Sequence, residues 1–272
     1  MIILVVSVCF FAQPALAAQK SLVFGVHPFK NQTTLVQMFT PLMKYLEKEL
    51  GTEITFKRAR DYESAMNAIV SGDVDISYLG PAGFAALDME FPGKVRICAA
   101  VENNGKTTFK GVIATKKGSG IKSLQDLKGK AFAFGDRAST LSFYMPAYML
   151  MEANVFDTLD YKFYGTHDKV AANVLRGRAA AGGLKPAVAA NYVEQGLEVI
   201  AESAPVYEHM IVVGTKVDDA TYQKICEALL SVQDETVYKS IKKSLTGFAK
   251  VLPADYESLK TVMRSVDAKV PK

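Results

Sequence analysis

The sequence predicts an α/β chain folded as two lobes, each a mainly parallel sheet flanked by helices. Three observations lead there. Short apolar, β-rich runs alternate with stretches of helical period, the order that builds parallel sheets through crossover helices. The alternation runs as two series, separated by the polar stretch Glu102-Asn103-Asn104-Gly105-Lys106. The chain crosses between the series near 102–110 and again near 202–210, so its tail returns to the first. Composition agrees: 272 residues, 49% hydrophobic and 22% charged, leave room for two cores and exclude a disordered or low-complexity chain.

The elements follow in order. Residues 1–18 read as a secretory signal peptide: an apolar run from Ile2 to Phe11 is followed by Ala15-Leu16-Ala17-Ala18, too short for a membrane span. The run lacks the usual preceding Lys or Arg. Val6-Ser7-Val8 before Cys9 does not suit lipidation, and an N-terminal core strand is the plainer alternative. Leu22–Val26 is a strand. Leu35, Met38, Phe39, Leu42, Leu46 and Leu50 mark a helix over Thr34–Leu50, stopped by Gly51. Strand Ile54–Phe56, helix Asp61–Val70, strand Val74–Ser77, a helix after Gly80-Pro81 and strand Val95–Val101 complete the first series. The second contains strands Phe109–Thr115, Ala131–Phe134, Tyr161–Tyr164 and Ala179–Gly182, with helices Leu141–Glu152, His167–Leu175 and Ala187–Gln195. Val199-Ile200 and Met210–Val213 are returning strands, and the tail from Asp218 is helical with Pro253 interrupting it. The expected units are therefore a first lobe of 19–105 joined by 207–272, and a second of 106–206. No stretch after residue 18 is apolar enough to span a bilayer.

Charge is mild, 32 basic against 28 acidic side chains for a net +4, evenly mixed along the chain. That argues against a nucleic-acid binder and is compatible with a small anionic ligand. Three cysteines make no disulfide framework, and whether Cys98 and Cys226 pair or remain buried thiols is open at this level.

Chemistry concentrates where strands end and helices begin. Phe134-Gly135-Asp136-Arg137-Ala138-Ser139-Thr140-Leu141-Ser142 runs from a strand into a helix start, where hydroxyls stand beside unpaired N–H groups and the helix dipole favours an anion. Ordinary capping uses the same residues. Tyr164-Gly165-Thr166-His167-Asp168 repeats the geometry with an imidazole, a donor at the sheet edge where open α/β folds place ligands, or a cap of its own helix. In the first lobe, Asp75-Ile76-Ser77-Tyr78-Leu79-Gly80-Pro81 and Arg60-Asp61-Tyr62 bring Tyr78 and Tyr62 to the same edge, as ligand contacts or as packing residues. His27, His167 and His209 are not at metal-ligand spacing, and no Gly-x-Ser-x-Gly, His-Glu-x-x-His or phosphate loop with its Lys occurs. No cofactor, metal or catalytic residue is expected.

Taken together these motifs resemble the periplasmic solute-binding proteins of phosphate, phosphite and phosphonate ABC transporters, within the type II periplasmic-binding-protein superfamily. Gly25-Val26-His27-Pro28 and Pro41-Leu42-Met43-Lys44-Tyr45-Leu46-Glu47 add to the resemblance, which extends over about residues 22–215. It implies a hinged pair of lobes with an oxyanion in the cleft, a membrane permease as partner, a periplasmic location and a monomer. It assigns Ser139 and Thr140 to the phosphoryl grip, with Ser142 beside them, His167 to a donor and Tyr62 to closure. Where the family carries an acidic or amide residue after Val-Asp-Ala-Gly, this chain has Ala179-Ala180-Ala181-Gly182-Gly183-Leu184-Lys185. Lys185 in place of an acid implies a small, fully anionic ligand (phosphate, phosphite or a short alkylphosphonate) without an ammonium arm, unless it is a surface lysine. Rival readings are a sensing subunit for a membrane kinase, a binder of another small anion, and an enzyme on the same fold.

Overall fold

The computed structural model describes residues 21–270; the expected signal peptide lies outside them. In chain order the elements are β1 (Leu22–Val26), α1 (Gln32–Leu50), β2 (Ile54–Arg58), α2 (Tyr62–Ser71), β3 (Ile76–Leu79), α3 (Pro81–Glu90) and β4 (Val95–Asn103). Next come β5 (Thr108–Phe109), β6 (Val112–Lys116), β7 (Ala131–Phe134), a π-helical turn over Thr140–Tyr144, α4 (Met145–Glu152), β8 (Asp160–Phe163), α5 (His167–Leu175), β9 (Ala181–Leu184) and α6 (Pro186–Ala190). The chain finishes with β10 (Leu197–Glu202), β11 (Val206–Tyr207), β12 (Met210–Gly214), α7 (Asp219–Ser231), α8 (Glu235–Lys239), β13 (Leu245–Ala249) and α9 (Glu257–Lys269).

Two sheets form. The first has the order β13-β4-β12-β3-β1-β2 and the second β10-β6-β9-β7-β8. Strands linked by crossover helices pair in parallel: β1 with β2 and β3, β7 with β8 and β9. Strands that enter from the crossings have no helix to turn them round, so β12 runs antiparallel to β3 and β4, and β6 antiparallel to β9 and β10. Each sheet is thus mixed, with a parallel half that carries the strand-to-helix turns. The two crossings lie side by side as a ribbon, β5 against β11, pairing Phe109 with Val206 and Thr108 with Tyr207.

Both faces of the first sheet are buried. Phe24, Val26, Ile211 and Val213 meet Leu35, Phe39, Leu42 and Leu46 of α1 and Ile225 and Leu229 of α7. On the other face Leu79, Ile97 and Val212 meet Ile69, Phe84, Leu87 and Tyr256. Adjacent residues on β12 facing opposite ways is the period-two signature of a strand covered on both sides. A disulfide joins Cys98 on β4 to Cys226 on α7, resolving the pairing that the sequence left open.

Three differences from the sequence reading have physical causes. The strand expected over Phe109–Thr115 breaks into β5 and β6, because Gly111 turns aside to pair with Ser203 through Gly111 N–H to Ser203 Oγ (2.8 Å) and Ser203 N–H to Gly111 O (2.9 Å). The tail is not helical throughout: Leu245–Ala249 adds β13 to the open edge of β4, a pairing set by tertiary context. The tail's last helix does not pack on the first sheet alone. Leu259, Met263 and Val266 of α9 join a cluster with Ala82 and Ala85 of α3 and with Phe132, Phe143 and Leu150 beside the second sheet.

Candidate ligand-binding cleft

The turn after β7 is built by close approach. Ser142 is fully enclosed, and its hydroxyl donates to the Gly183 carbonyl of β9. In an α-helix the Ser142 carbonyl would accept from residue 146, but Pro146 has no N–H; Gly135 N–H donates to it instead, at 3.1 Å. The turn is drawn against both strands: a Cβ on Gly135 would stand 2.4 Å from Ser142 Oγ, and one on Gly183 2.5 Å from Pro146 Cγ. Met145 N–H reaches the Thr140 carbonyl, the wide spacing of the π-helical turn. Ser142, expected beside the phosphoryl grip, has its only hydroxyl hydrogen engaged with Gly183 and fastens the turn.

Ser139 and Thr140 differ. Ser139 caps the turn, its Oγ accepting from Ser142 N–H at 3.1 Å. Thr140 Oγ1 accepts from Ala82 N–H at 2.9 Å, and Ala82 lies in the first turn of α3. This bond ties the first sheet's side of the molecule to the second, at a place where two helical N-termini meet. Both hydroxyls only accept in these bonds, so each keeps an O–H to donate.

His167 opens α5, capped by Thr166. Its Nδ1 accepts from Lys185 N–H at 3.0 Å, which puts the ring proton on Nε2. Burial, with Lys185, His209 and Lys30 adding, holds the imidazole at about 3, so it is neutral at pH 7 and donates from Nε2. Lys185 is half-buried, its ammonium 5.8 Å from the ring centre of Phe109 on β5. It therefore faces the crossing between lobes, while burial pulls its pKa down against the pull of Glu208.

Across from these lies an aromatic group. Tyr62, in the first turn of α2, has its ring centre 4.8 Å from that of His27. Tyr78 at the end of β3 stacks 5.1 Å from His209 and 5.9 Å from His27, and the two imidazoles are 5.6 Å apart. Burial, then the charge of Asp136 beyond β7, pushes the Tyr62 phenol above its ordinary range. Burial likewise raises Tyr78, so both are neutral hydroxyl bearers. His27 Nδ1–H donates to Tyr78 O at 3.1 Å, and His209 Nδ1–H to Glu208 Oε1 at 2.6 Å.

Seven residues were expected here. Ser139, Thr140, His167 and Lys185 gather on the second-sheet side and Tyr62 and Tyr78 on the first-sheet side, while Ser142 sits behind the turn. The sequence reading left out His27, Glu208 and His209. His27 follows β1 as His167 follows β8, so the rule that picked His167 could have picked it. Glu208 and His209 precede β12 and carry no local motif; the second crossing brings them in. Among the described residues no group of His, Cys, Asp and Glu could hold a metal.

Two α/β units thus meet where helix starts, hydroxyls and neutral imidazoles lie. The chain belongs to the family of periplasmic substrate-binding proteins of phosphonate ABC transporters, whose profile matches residues 24–257. A phosphate-import protein, PhnD, of Mycolicibacterium smegmatis is 26% identical over 57% of this chain and 52% of its own length. A probable ABC-transporter phosphite-binding protein, PhnD1, of Prochlorococcus marinus is 29% identical over 65% of this chain and 62% of its own length. The matches thus span between half and two thirds of these relatives. The solved structure of PhnD1 from Prochlorococcus marinus with methylphosphonate superposes with a TM-score of 0.81 at 22% identity, covering 92% of this chain and 99% of that one; at that identity the likeness speaks for the fold.

Proposed function

We propose that this chain is the periplasmic substrate-binding component of an ABC importer and captures a small phosphorus oxyanion (phosphate, phosphite or a short alkylphosphonate) by closing two lobes on it. The observation that carries this reading is the Ala82–Thr140 bond. It joins a helix start from each side at a hydroxyl that has its hydrogen left to give. Ser139, Thr140 and His167 donate to the deprotonated oxygens, replacing the water lost on burial. Tyr62 and Tyr78 close from the opposite side. Lys185 adds a cation and disfavours an ammonium arm, so 2-aminoethylphosphonate binds more weakly than methylphosphonate. The hinge is the ribbon of β5 and β11, between a first lobe of 19–105 with 207–272 and a second of 106–206. The mature chain is monomeric and presents its closed form to a membrane permease. The ligand leaves chemically unchanged.

Hydrogen bonds of charged groups contribute about 1.5–3 kcal/mol each, and about 1.4 kcal/mol is tenfold in affinity. Thr140→Ala should weaken binding about tenfold or more. The double variant Ser139→Ala/Thr140→Ala, titrated calorimetrically with phosphate, phosphite and methylphosphonate, should lose more. An unchanged dissociation constant for the best of the three would refute the site.

A further inference from the structure

Lys185 leaves the chain just after β9, beside a ligand-facing group. Its N–H donates to His167 Nδ1 at 3.0 Å, and two residues earlier the Gly183 carbonyl takes the Ser142 hydroxyl. The backbone here is thus fastened to both turns that carry Ser139, Thr140 and His167. The Lys185 side chain is half-buried, with its ammonium 5.8 Å from the ring centre of Phe109 on the β5–β11 ribbon. A ring at that distance attracts a cation weakly and does not neutralise it. Among the described residues this ammonium makes no hydrogen bond, and no carboxylate lies within ion-pair distance of it.

Two more ammoniums act on it from the first-sheet side. Lys30 lies in the loop after β1, and Lys242 precedes β13 with its Nζ 2.8 Å from the Asn103 amide at the end of β4. Burial pulls the Lys185 pKa down, Glu208 pulls it up, and Lys242 and Lys30 push it down again. Glu208 is the one carboxylate among these groups, and its Oε1 already accepts from His209 Nδ1–H (2.6 Å) and N–H (3.2 Å). His27, His167 and His209 are neutral at pH 7. Three ammoniums against one carboxylate leave two positive charges in excess. The donors assigned to the phosphoryl group, by contrast, are all neutral. The grip lies where Thr140 meets Ala82, whereas Lys185 and Lys242 lie along the crossing, against Phe109 and Asn103. A half-buried cation without a partner is costly, and an anion at the crossing would remove that cost.

We propose that Lys185, assisted by Lys30 and Lys242, pairs with a second anionic group on the ligand, so that the preferred phosphorus oxyanion carries an acidic arm, either a carboxylate or a second phosphoryl group. This rests on the reading that the cleft holds a phosphorus oxyanion, and it narrows that ligand class. Bonds between an ammonium and an anionic oxygen are the strong ones, and they gain most where water is excluded. A neutral arm would leave the three cations unpaired, and an ammonium arm would add a fourth.

Phosphonoacetate and phosphonoacetamide share shape and size and differ in the charge of the arm. Calorimetry on the mature wild type at pH 7 should show phosphonoacetate preferred by about 10- to 100-fold, the worth of one charge-assisted bond. Diphosphate against methylphosphonate makes the same comparison for a phosphoryl arm, and the pair with the larger ratio identifies the arm. Lys185→Met removes the ammonium and keeps most of the stem, so that ratio should fall to near one. Lys30→Gln and Lys242→Gln change exposed side chains and should each lower it by about twofold or more; they decide the matter even if Lys185→Met does not fold. Ratios near one for both pairs in wild type, or a ratio that survives in Lys185→Met, would overturn the proposal. Phosphorus oxyanions that bind without regard to the arm remove the role of Lys185 only. If phosphate, phosphite and methylphosphonate all fail to bind, the oxyanion reading falls and this proposal with it.

Discussion

Acidification should destabilise this protein well before its carboxylates titrate, through three histidines, two of them stacked on each other. His27 and His209 are 3% and 7% exposed. Burial holds His27 at about 3, reinforced by His209 and opposed by the Tyr78 carbonyl bond. Burial and Lys185 hold His209 at about 4 against the pull of Glu208. His167 is held at about 3 as well, and in the unfolded chain all three return to about 6.5. Because the folded values are depressed, the unfolded chain binds more protons between pH 6.5 and 4. Stability is therefore complete above pH 6.5 and declines as pH falls toward the folded values. At pH 5 each histidine is about 1.5 pH units below its unfolded value and still neutral when folded, which costs about 2 kcal/mol apiece, about 6 together. A domain of this size loses about 2–4 °C in Tm per kcal/mol, so Tm should fall by about 12–24 °C between pH 7.5 and 5.0. Differential scanning calorimetry of the ligand-free protein measures this directly. His27→Gln removes one titrating ring and should cut the fall by about a third. A Tm that moves by less than about 3 °C would refute the assignment of three neutral imidazoles.

Two further predictions concern stability. Ser142→Ala leaves the Gly183 carbonyl without its partner inside the core, and an unsatisfied buried acceptor costs about 1–3 kcal/mol. Urea denaturation should show that loss; if instead stability holds and oxyanion affinity collapses, Ser142 contacts the ligand after all. Breaking the Cys98–Cys226 link opens a crosslink across 128 residues of sequence, worth up to about 5 kcal/mol by loop entropy. The Cys98→Ala/Cys226→Ala variant should unfold at lower denaturant than the oxidised wild type, and a change under about 0.5 kcal/mol would mean that α7 and β4 hold without it.

Legibility followed how local the cause was. The helix at His167–Leu175 was readable to the residue because Thr166 caps it and its apolar face is buried against the sheet. The start of α2 was readable from Asp61, which accepts from Ser64 N–H. The site turn was legible as hydroxyls at a helix start, yet the division of labour among Ser139, Thr140 and Ser142 was not. That division depends on Ala82 and Gly183, 58 and 41 residues away. β13 was missed because Leu245–Ala249 is short and includes Gly247, so its strand state comes from the β4 edge.

By itself, the sequence determined the two alternating series, the crossings between them, and the strand-to-helix turns that carry Ser139, Thr140, His167, Tyr62 and Tyr78. Those features follow from periodicity and capping, which act within a few residues. Only the tertiary structure decided which groups confront one another. It engaged Ser142's proton with Gly183, fixed His167 on its Nε2–H tautomer through Lys185, and paired Cys98 with Cys226. It also brought His209 from the second crossing against His27 and Tyr78. Proton placement and charge depend on neighbours within about 3–6 Å in space, and chain order does not encode those distances.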